Sequence, residues 1–369
     1  MCSAPIVPVG PSMALRRRLA EIFPGARVVT TRALGDDAHP DGETAKGLGY
    51  GHPIRVALAM PDGASHDLVL HVIRSDPHGH DRRADRVGEV VLLADTAPRI
   101  PAHVRVVDVG VHSRTGSLVS LAGTGEPYVL TEWAEGDLYA EDLRRVARAG
   151  TLEPADRARA DRLTDYLATL HGVPGRGGAV AYVRALRDLV GHGEGIAGIA
   201  DGYEAGVPGA SRARVEAIER ACLGWRHRLR ARSHRLRLTH GDFHPFNLVF
   251  SGDRVVPLDA SRGCEGDPAD DVAALTLNYL FFGVEHRASW PSGLGLLWES
   301  FWPRYLAATR DHELLDVVAP FFAWRGLVIA SPRWYPHLTA SDRDRILTFV
   351  ERALSADRFD PRWGVESMA

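Results

Sequence analysis

Lysine is nearly missing from this 369-residue chain: of its 44 basic side chains only Lys46 is a lysine, and the rest are arginine. In such a chain arginine stands in for lysine wherever the chemistry allows, so the position that keeps lysine draws notice. Cysteine is scarce too. Cys2, Cys222 and Cys264 are odd in number and far apart, which excludes a disulfide framework or zinc knuckle and fits a reducing compartment. No stretch of ~18 apolar residues occurs, so nothing is expected to span a membrane. Residues 1–13 hold no long apolar run behind a basic start, and the arginines at 16–18 come too late for a leader, so a cytoplasmic protein is expected. An excess of one charge is lacking as well. The net charge is −3, which speaks against nucleic acid as a partner, and the arginine-rich stretch 226–237 reads as a solvated helix face.

What is present is a globular composition, 45% hydrophobic and 25% charged. This length suits two lobes around separate cores. Residues 12–23 have the pattern of a short amphipathic helix. Strand character follows at 27–34, then a Gly-rich polar segment ending in Lys46-Gly47-Leu48-Gly49-Tyr50-Gly51. Strands are expected at 54–60 and 67–73 around the turn Pro61-Asp62-Gly63. A helix is expected at 81–94, with Val87, Val90, Val91 and Ala94 on one face, and further strands at 104–111 and 128–133. After Glu135-Gly136 the pattern turns helical: 137–149, 154–171 with Gly172 at its C-terminus, 184–190, 211–230, and most of the chain beyond Asp267. The expected division is an extension at 1–26, a small sheet-bearing lobe at 27–134 and a helical lobe at 135–369, an α+β architecture.

The strongest signal is His240-Gly241-Asp242-Phe243-His244-Pro245-Phe246-Asn247, followed by Leu-Val-Phe, a Ser-Gly-Asp turn and Arg-Val-Val-Pro-Leu-Asp259. Gly241 and Pro245 prevent a regular helix. The hairpin after Asn247 returns antiparallel and brings Asp259 back beside it. Two carboxylates and a carboxamide thus converge, the set phosphoryl transfer requires: one carboxylate to orient and deprotonate a hydroxyl, and oxygen ligands to hold Mg²⁺ on phosphates.

This segment resembles the HGDxHxxN catalytic loop of the aminoglycoside phosphotransferase and choline kinase superfamily, and Leu258-Asp259 resembles its metal-binding aspartate. Gly266-Asp267-Pro268-Ala269-Asp270-Asp271-Val272-Ala273 is similar to the family's GDPxxDLA segment. The resemblance implies a bilobal protein kinase-like fold, with a small antiparallel sheet in the N-lobe and a mostly helical C-lobe. It implies an enzyme using ATP and Mg²⁺, with Asp242 as catalytic base, Asn247 and Asp259 as metal ligands, and Asp271 bracing the catalytic loop. Asp267 suits a helix N-cap before Pro268. The segment 128–136 resembles the hinge strand between lobes, where backbone groups of Glu132 and Ala134 meet the adenine edge. Glu89 matches the glutamate that pairs with a phosphate-binding lysine.

That lysine is the departure from the pattern. The returning strand ends in His71, whose imidazole is a poor anchor for phosphates, and strand alternation turns Arg74 to the opposite face. Lys46, at the mouth of the Gly-rich loop, is expected to supply the charge instead, a relocation like that of with-no-lysine protein kinases. Gly47, Gly49 and Gly51 would let backbone N–H groups approach the phosphates.

The partner expected is a small-molecule hydroxyl acceptor: aminoglycoside, other antibiotic, sugar or amino alcohol. Glu265, Asp267 and Asp270 offer attraction for a cationic one, or serve structure instead. The C-lobe aromatics Tyr279, Phe281, Phe282, Trp290, Trp298, Trp302, Trp324, Trp334 and Tyr335 are expected to be mostly core. Two other readings stand beside this one. The first is a non-catalytic or nucleotide-binding relative, suggested by His71. The second is a transition-metal site through His240, Asp242 and His244, aided by His78 and His80, for which no preformed ligand cage is legible.

Overall fold

The computed structural model describes residues 12–34 and 53–369. The chain divides into two compact units, residues 1–130 and 131–369.

In the smaller unit, helix α1 (Met13–Ile22) starts where the Ser12 hydroxyl accepts a hydrogen bond from the Leu15 N–H, 3.2 Å. Strands β1 (Arg27–Ala33), β2 (Ile54–Ala59) and β3 (Ser65–Leu70) form an antiparallel sheet in that order, with Arg27 opposite Ala59 and Ile54 opposite Leu70. Val56 and Leu58 alternate inward along β2 and bury against Leu19 of α1. Helix α2 (Arg83–Thr96) follows, then a separate hairpin of β4 (Gly110–His112) and β5 (Leu118–Ser120). The bidentate pair of Arg18 with Asp108, at 2.7 and 3.0 Å, ties α1 to the segment before β4.

Two strand expectations are corrected. Of 104–111 only its end enters β4, and 128–133 forms no strand at all. Tyr128, Val129, Leu130 and Trp133 are each more than four-fifths exposed. Their β-favouring side chains find no ladder partner among the described residues, and strand preference without a partner sheet fixes nothing.

The larger unit opens with β6 (Asp137–Leu138), α3 (Tyr139–Ala149), α4 (Pro154–His171), α5 (Gly178–Gly191), α6 (Ile196–Asp201) and α7 (Arg212–Leu229). The middle carries β7 (Arg237–Leu238), the hairpin β8 (Leu248–Ser251) and β9 (Arg254–Pro257), and β10 (Glu265–Gly266). It closes with α8 (Ala269–Val284), α9 (Leu294–Thr309), α10 (Ala319–Ala330), α11 (Ala340–Ser355) and α12 (Arg362–Met368). Sheet order is β6-β8-β9, with β7 paired to β10. Gly136, at φ 145°, leads into β6 where an added Cβ would stand 2.2 Å from the Phe250 carbonyl, so only glycine lets the two backbones meet. Nearly every residue of α8 and α10 is buried, as befits helices apolar on all sides. Of the aromatics expected in the core only Trp334 is exposed, while Tyr335 packs half-buried against the rest. No helix among the described residues is long and apolar enough to cross a membrane.

Candidate active site

The motif segment 240–247 leaves β7 as an irregular loop. Gly241 sits at φ 82°, and a Cβ there would press on the Gly263 carbonyl at 3.1 Å. The loop is held from below by Asp271, fully buried in the first turn of α8. Its carboxylate accepts the backbone N–H of His240 at 2.7 Å and of Gly241 at 2.8 Å. It also meets His171 Nε2 at 3.1 Å, while His171 Nδ1 lies 2.7 Å from the Tyr305 hydroxyl. The bracing expected of Asp271 is thus present atom by atom. Asp267 accepts the Ala269 N–H at 3.0 Å, but the residue in the N-cap position of α8 is Pro268, one place later than expected.

Asp242 is buried among two guanidinium groups and an imidazole. Arg325 Nη1 donates to its Oδ1 at 2.5 Å; Arg262 Nε and His244 Nε2 stand 3.3 and 3.6 Å from Oδ2. Burial alone would raise this carboxyl, but Arg325, His244 and Arg262 outweigh it and hold its pKa below the ordinary carboxylate value. The His244 imidazole is driven the other way, down to about 4, chiefly by burial, with Arg325 and Arg262 adding to the effect against the pull of Asp242. Its Nδ1 accepts the Phe246 N–H at 3.2 Å.

Asn247 closes the loop by donating Nδ2 to the Asp242 carbonyl at 3.1 Å. Its Oδ1 accepts nothing among the described residues. The Leu258 N–H donates to the Asn247 carbonyl at 2.8 Å, continuing the β8–β9 ladder in which Leu248 faces Pro257. The hairpin therefore brings the Asn247 and Asp259 stretches together as the spacing required. Asp259 lies exposed just past the ladder at φ 55°, a left-handed conformation aspartate tolerates better than most residues.

The acids Glu265, Asp267 and Asp270 each have structural partners within the protein. Asp267 is buried against Arg235, with 2.9 Å contacts from Nε and Nη2, and accepts the Tyr182 hydroxyl at 2.8 Å. Glu265 accepts the N–H groups of Arg176 and Gly177 at 2.6 and 3.0 Å. Asp270 accepts Arg325 Nη2 at 2.8 Å, and burial pushes its carboxyl up to about 7.

Lys46, Gly47, Gly49 and Gly51 lie outside the described residues. His71 is exposed one residue past the end of β3, so strand alternation does not govern Arg74. Glu89 on α2 pairs with His80 Nε2 at 2.9 Å, and His80 Nδ1 with Asp76 at 2.7 Å. Glu132 and Ala134 belong to a segment that forms no strand. Among the described residues no group of three or more His, Cys, Asp or Glu side chains could hold a metal ion.

Sequence reasoning missed Arg325 and Arg262. For Arg325 the signal was present: one charge inside the apolar helix Ala-Pro-Phe-Phe-Ala-Trp-Arg-Gly-Leu-Val-Ile-Ala is affordable only if it is paired.

A small antiparallel sheet followed by a helical unit, whose motif loop carries a buried carboxylate and a carboxamide, defines a protein kinase-like phosphotransferase. The chain belongs to the phosphotransferase enzyme family, whose model matches residues 62–321. Solved structures that the chain matches include a glucosamine kinase (crystal form B), 19% identical, covering 93% of this chain and 98% of that one at a TM-score of 0.43. A choline/ethanolamine kinase family protein from Mesorhizobium loti is 15% identical over 89% and 92%, with a TM-score of 0.34. An ethanolamine kinase from Plasmodium vivax is 14% identical over 88% and 80%, with a TM-score of 0.32. No curated protein sequence matches the chain.

Proposed function

We propose that this protein is an ATP-dependent kinase that moves the γ-phosphoryl group onto a hydroxyl of a small molecule, with Asp242 as the base and Asn247 and Asp259 as the Mg²⁺ ligands. The observation that carries the reading is the junction of the motif loop with its hairpin. Buried Asp242 stays ionised there, Asn247 is clipped to the Asp242 carbonyl at 3.1 Å, and Asp259 directly follows Leu258, whose N–H donates to the Asn247 carbonyl. The donor set suits the metal, since Mg²⁺ prefers hard oxygens, one or two carboxylates, and phosphates for the remainder. Asn247 offers Oδ1, and Asp259 an exposed carboxylate with one oxygen 3.3 Å from the Ser261 N–H. Mg²⁺, when bound, supplies neutralisation of the charge on the phosphates. Asp242 orients the acceptor hydroxyl and takes its proton as the oxygen attacks.

On the nucleotide side the reading assigns phosphate contacts to Lys46, the backbone of Gly47, Gly49 and Gly51, and His71. Glu89 steadies the phosphate-binding groups, and adenine contacts fall to the backbone of Glu132 and Ala134. Lys46→Ala should weaken ATP binding; unchanged binding would remove Lys46 from the reading.

The deciding experiment is ADP release with Mg²⁺ and ATP across a panel of hydroxylated acceptors, comparing wild type with Asp242→Ala. Acceptor-dependent turnover is expected to fall by about 10³-fold or more in the variant while ATP binding persists. Binding of ATP with equal turnover in both proteins would sink the assignment of Asp242. No ATP binding by wild type would favour the non-catalytic reading raised by His71.

A further inference from the structure

Arg325 is the one charged residue of α10, and its side chain is 8% exposed. Removing a guanidinium from water is costly, and apolar residues can often replace a buried ion pair without loss of stability. A charge kept in such a place therefore asks for a role beyond holding the fold. Two of its three hydrogen bonds go to the motif loop and the third to the start of α8. Nη1 donates to Asp242 Oδ1, and Nη2 to the Gly241 carbonyl at 3.0 Å and to Asp270 Oδ1. The guanidinium carbon lies 3.8 Å from the centre of the Trp324 ring. That indole is itself fixed, its N–H donating to the Glu194 carbonyl at 2.8 Å, and it also lies 5.0 Å from the guanidinium of Arg262, which pairs with the Glu194 carboxylate at 3.0 Å.

We propose that Arg325, seated on Trp324 and shared between Asp270 and the Gly241 carbonyl, is a positioning residue for phosphoryl transfer: it takes up Oδ1 of Asp242 with a hydrogen bond, so that Oδ2, which has Arg262 Nε at 3.3 Å and His244 Nε2 at 3.6 Å but accepts no hydrogen bond from either, is the oxygen offered to the acceptor hydroxyl. The inference rests on Asp242 being the base. In the step it serves, the hydroxyl proton passes to Oδ2 and the hydroxyl oxygen forms a bond to the γ-phosphorus. The bond from that phosphorus to the β,γ-bridging oxygen breaks, and its electron pair leaves with ADP. Arg325 exchanges no atom. It fixes which oxygen of a symmetric carboxylate faces the acceptor, and through the Gly241 carbonyl it fixes the backbone carrying that carboxylate. Asp270 shares the guanidinium, so its full charge does not fall on Asp242 and dull its basicity.

The test uses the full chain with Mg²⁺ and ATP, water serving as the probe acceptor through release of inorganic phosphate. Wild type, Arg325→Lys, Arg325→Met and Asp242→Asn are compared, each first checked by near-ultraviolet circular dichroism. Arg325→Met is expected to lose about 10²-fold in kcat with KM for ATP within about twofold, the signature of a misplaced group rather than a lost binding site. Arg325→Lys should recover part of the loss, because an ammonium can still meet Oδ1 but cannot also span Gly241 and Asp270. Turnover in wild type that vanishes in Asp242→Asn yet survives within threefold in Arg325→Met overturns the inference alone. A parallel fall in kcat, ATP affinity and folded signal, with no recovery in Arg325→Lys, makes Arg325 merely structural and also overturns it. Wild-type turnover that Asp242→Asn leaves intact overturns the base assignment, and the inference with it.

Discussion

His244 stands between opposed influences. Burial and the guanidinium groups of Arg325 and Arg262 disfavour its proton, while Asp242 favours it, and the balance takes its pKa from 6.5 down to about 4. Between those two values the unfolded chain binds a proton at this position that the folded chain refuses. Stability contributed by His244 is therefore present above about pH 6.5 and lost as pH falls towards 4, by up to about 3 kcal/mol. His244→Asn keeps an acceptor for the Phe246 N–H, since asparagine suits a cap position, and removes the titration. Urea unfolding at neutral pH and near pH 4.5 should show a smaller acid loss in the variant than in wild type; equal losses would refute the depressed imidazole. At this scale the sequence was legible where chemistry repeats at short spacing. Asp242, Asn247 and Asp259 lie within 18 positions and declared themselves together. Arg325 did not, because its partner Asp242 is 83 residues away and no local pattern records a pairing at that distance.

Among elements, the start of α8 decides whether the motif loop keeps its shape. Asp271 is an acceptor for two consecutive backbone N–H groups and for His171, all buried. Asp271→Ala would strand both N–H groups away from water, at roughly 1–3 kcal/mol each. A loss of about 3–5 kcal/mol in unfolding free energy is expected, with Asp271→Asn intermediate because one acceptor oxygen remains. A loss below about 1 kcal/mol for the alanine variant would mean that the loop holds itself. Elements with their own punctuation were legible: α4 runs from Pro154 to His171 as expected, with Pro at its first position and Gly172 after its last. The stretches 104–111 and 128–133 were read as strands from side-chain preference alone. A strand is a relation between two segments, and Val104, Val129 and Leu130 stand exposed without a partner segment described.

Over the whole molecule the apolar interior is unevenly shared. In the unit 131–369, α8 and α10 are buried almost throughout and pack within one continuous core. In the unit 1–130 the fully buried apolar cluster among the described residues is Leu19, Val56 and Leu58. Opening free energy follows buried apolar contact, so the two units should differ in native-state hydrogen exchange. Amides of α8 and α10 should exchange only through global unfolding, and those of β1–β3 through a smaller opening. A nucleotide held by residues of the smaller unit must stabilise that unit in proportion to its occupancy, by about 2.7 kcal/mol at a ligand concentration 100 times Kd. Adding Mg²⁺ and ATP should therefore slow exchange in β1–β3 and narrow the gap to α8. If ATP binds and β1–β3 exchange as before, the phosphate contacts assigned to Lys46, Gly47, Gly49, Gly51 and His71 are misplaced. If exchange slows there in wild type and in Asp242→Ala alike, nucleotide capture belongs to the small unit, and Asp242 serves the acceptor step alone.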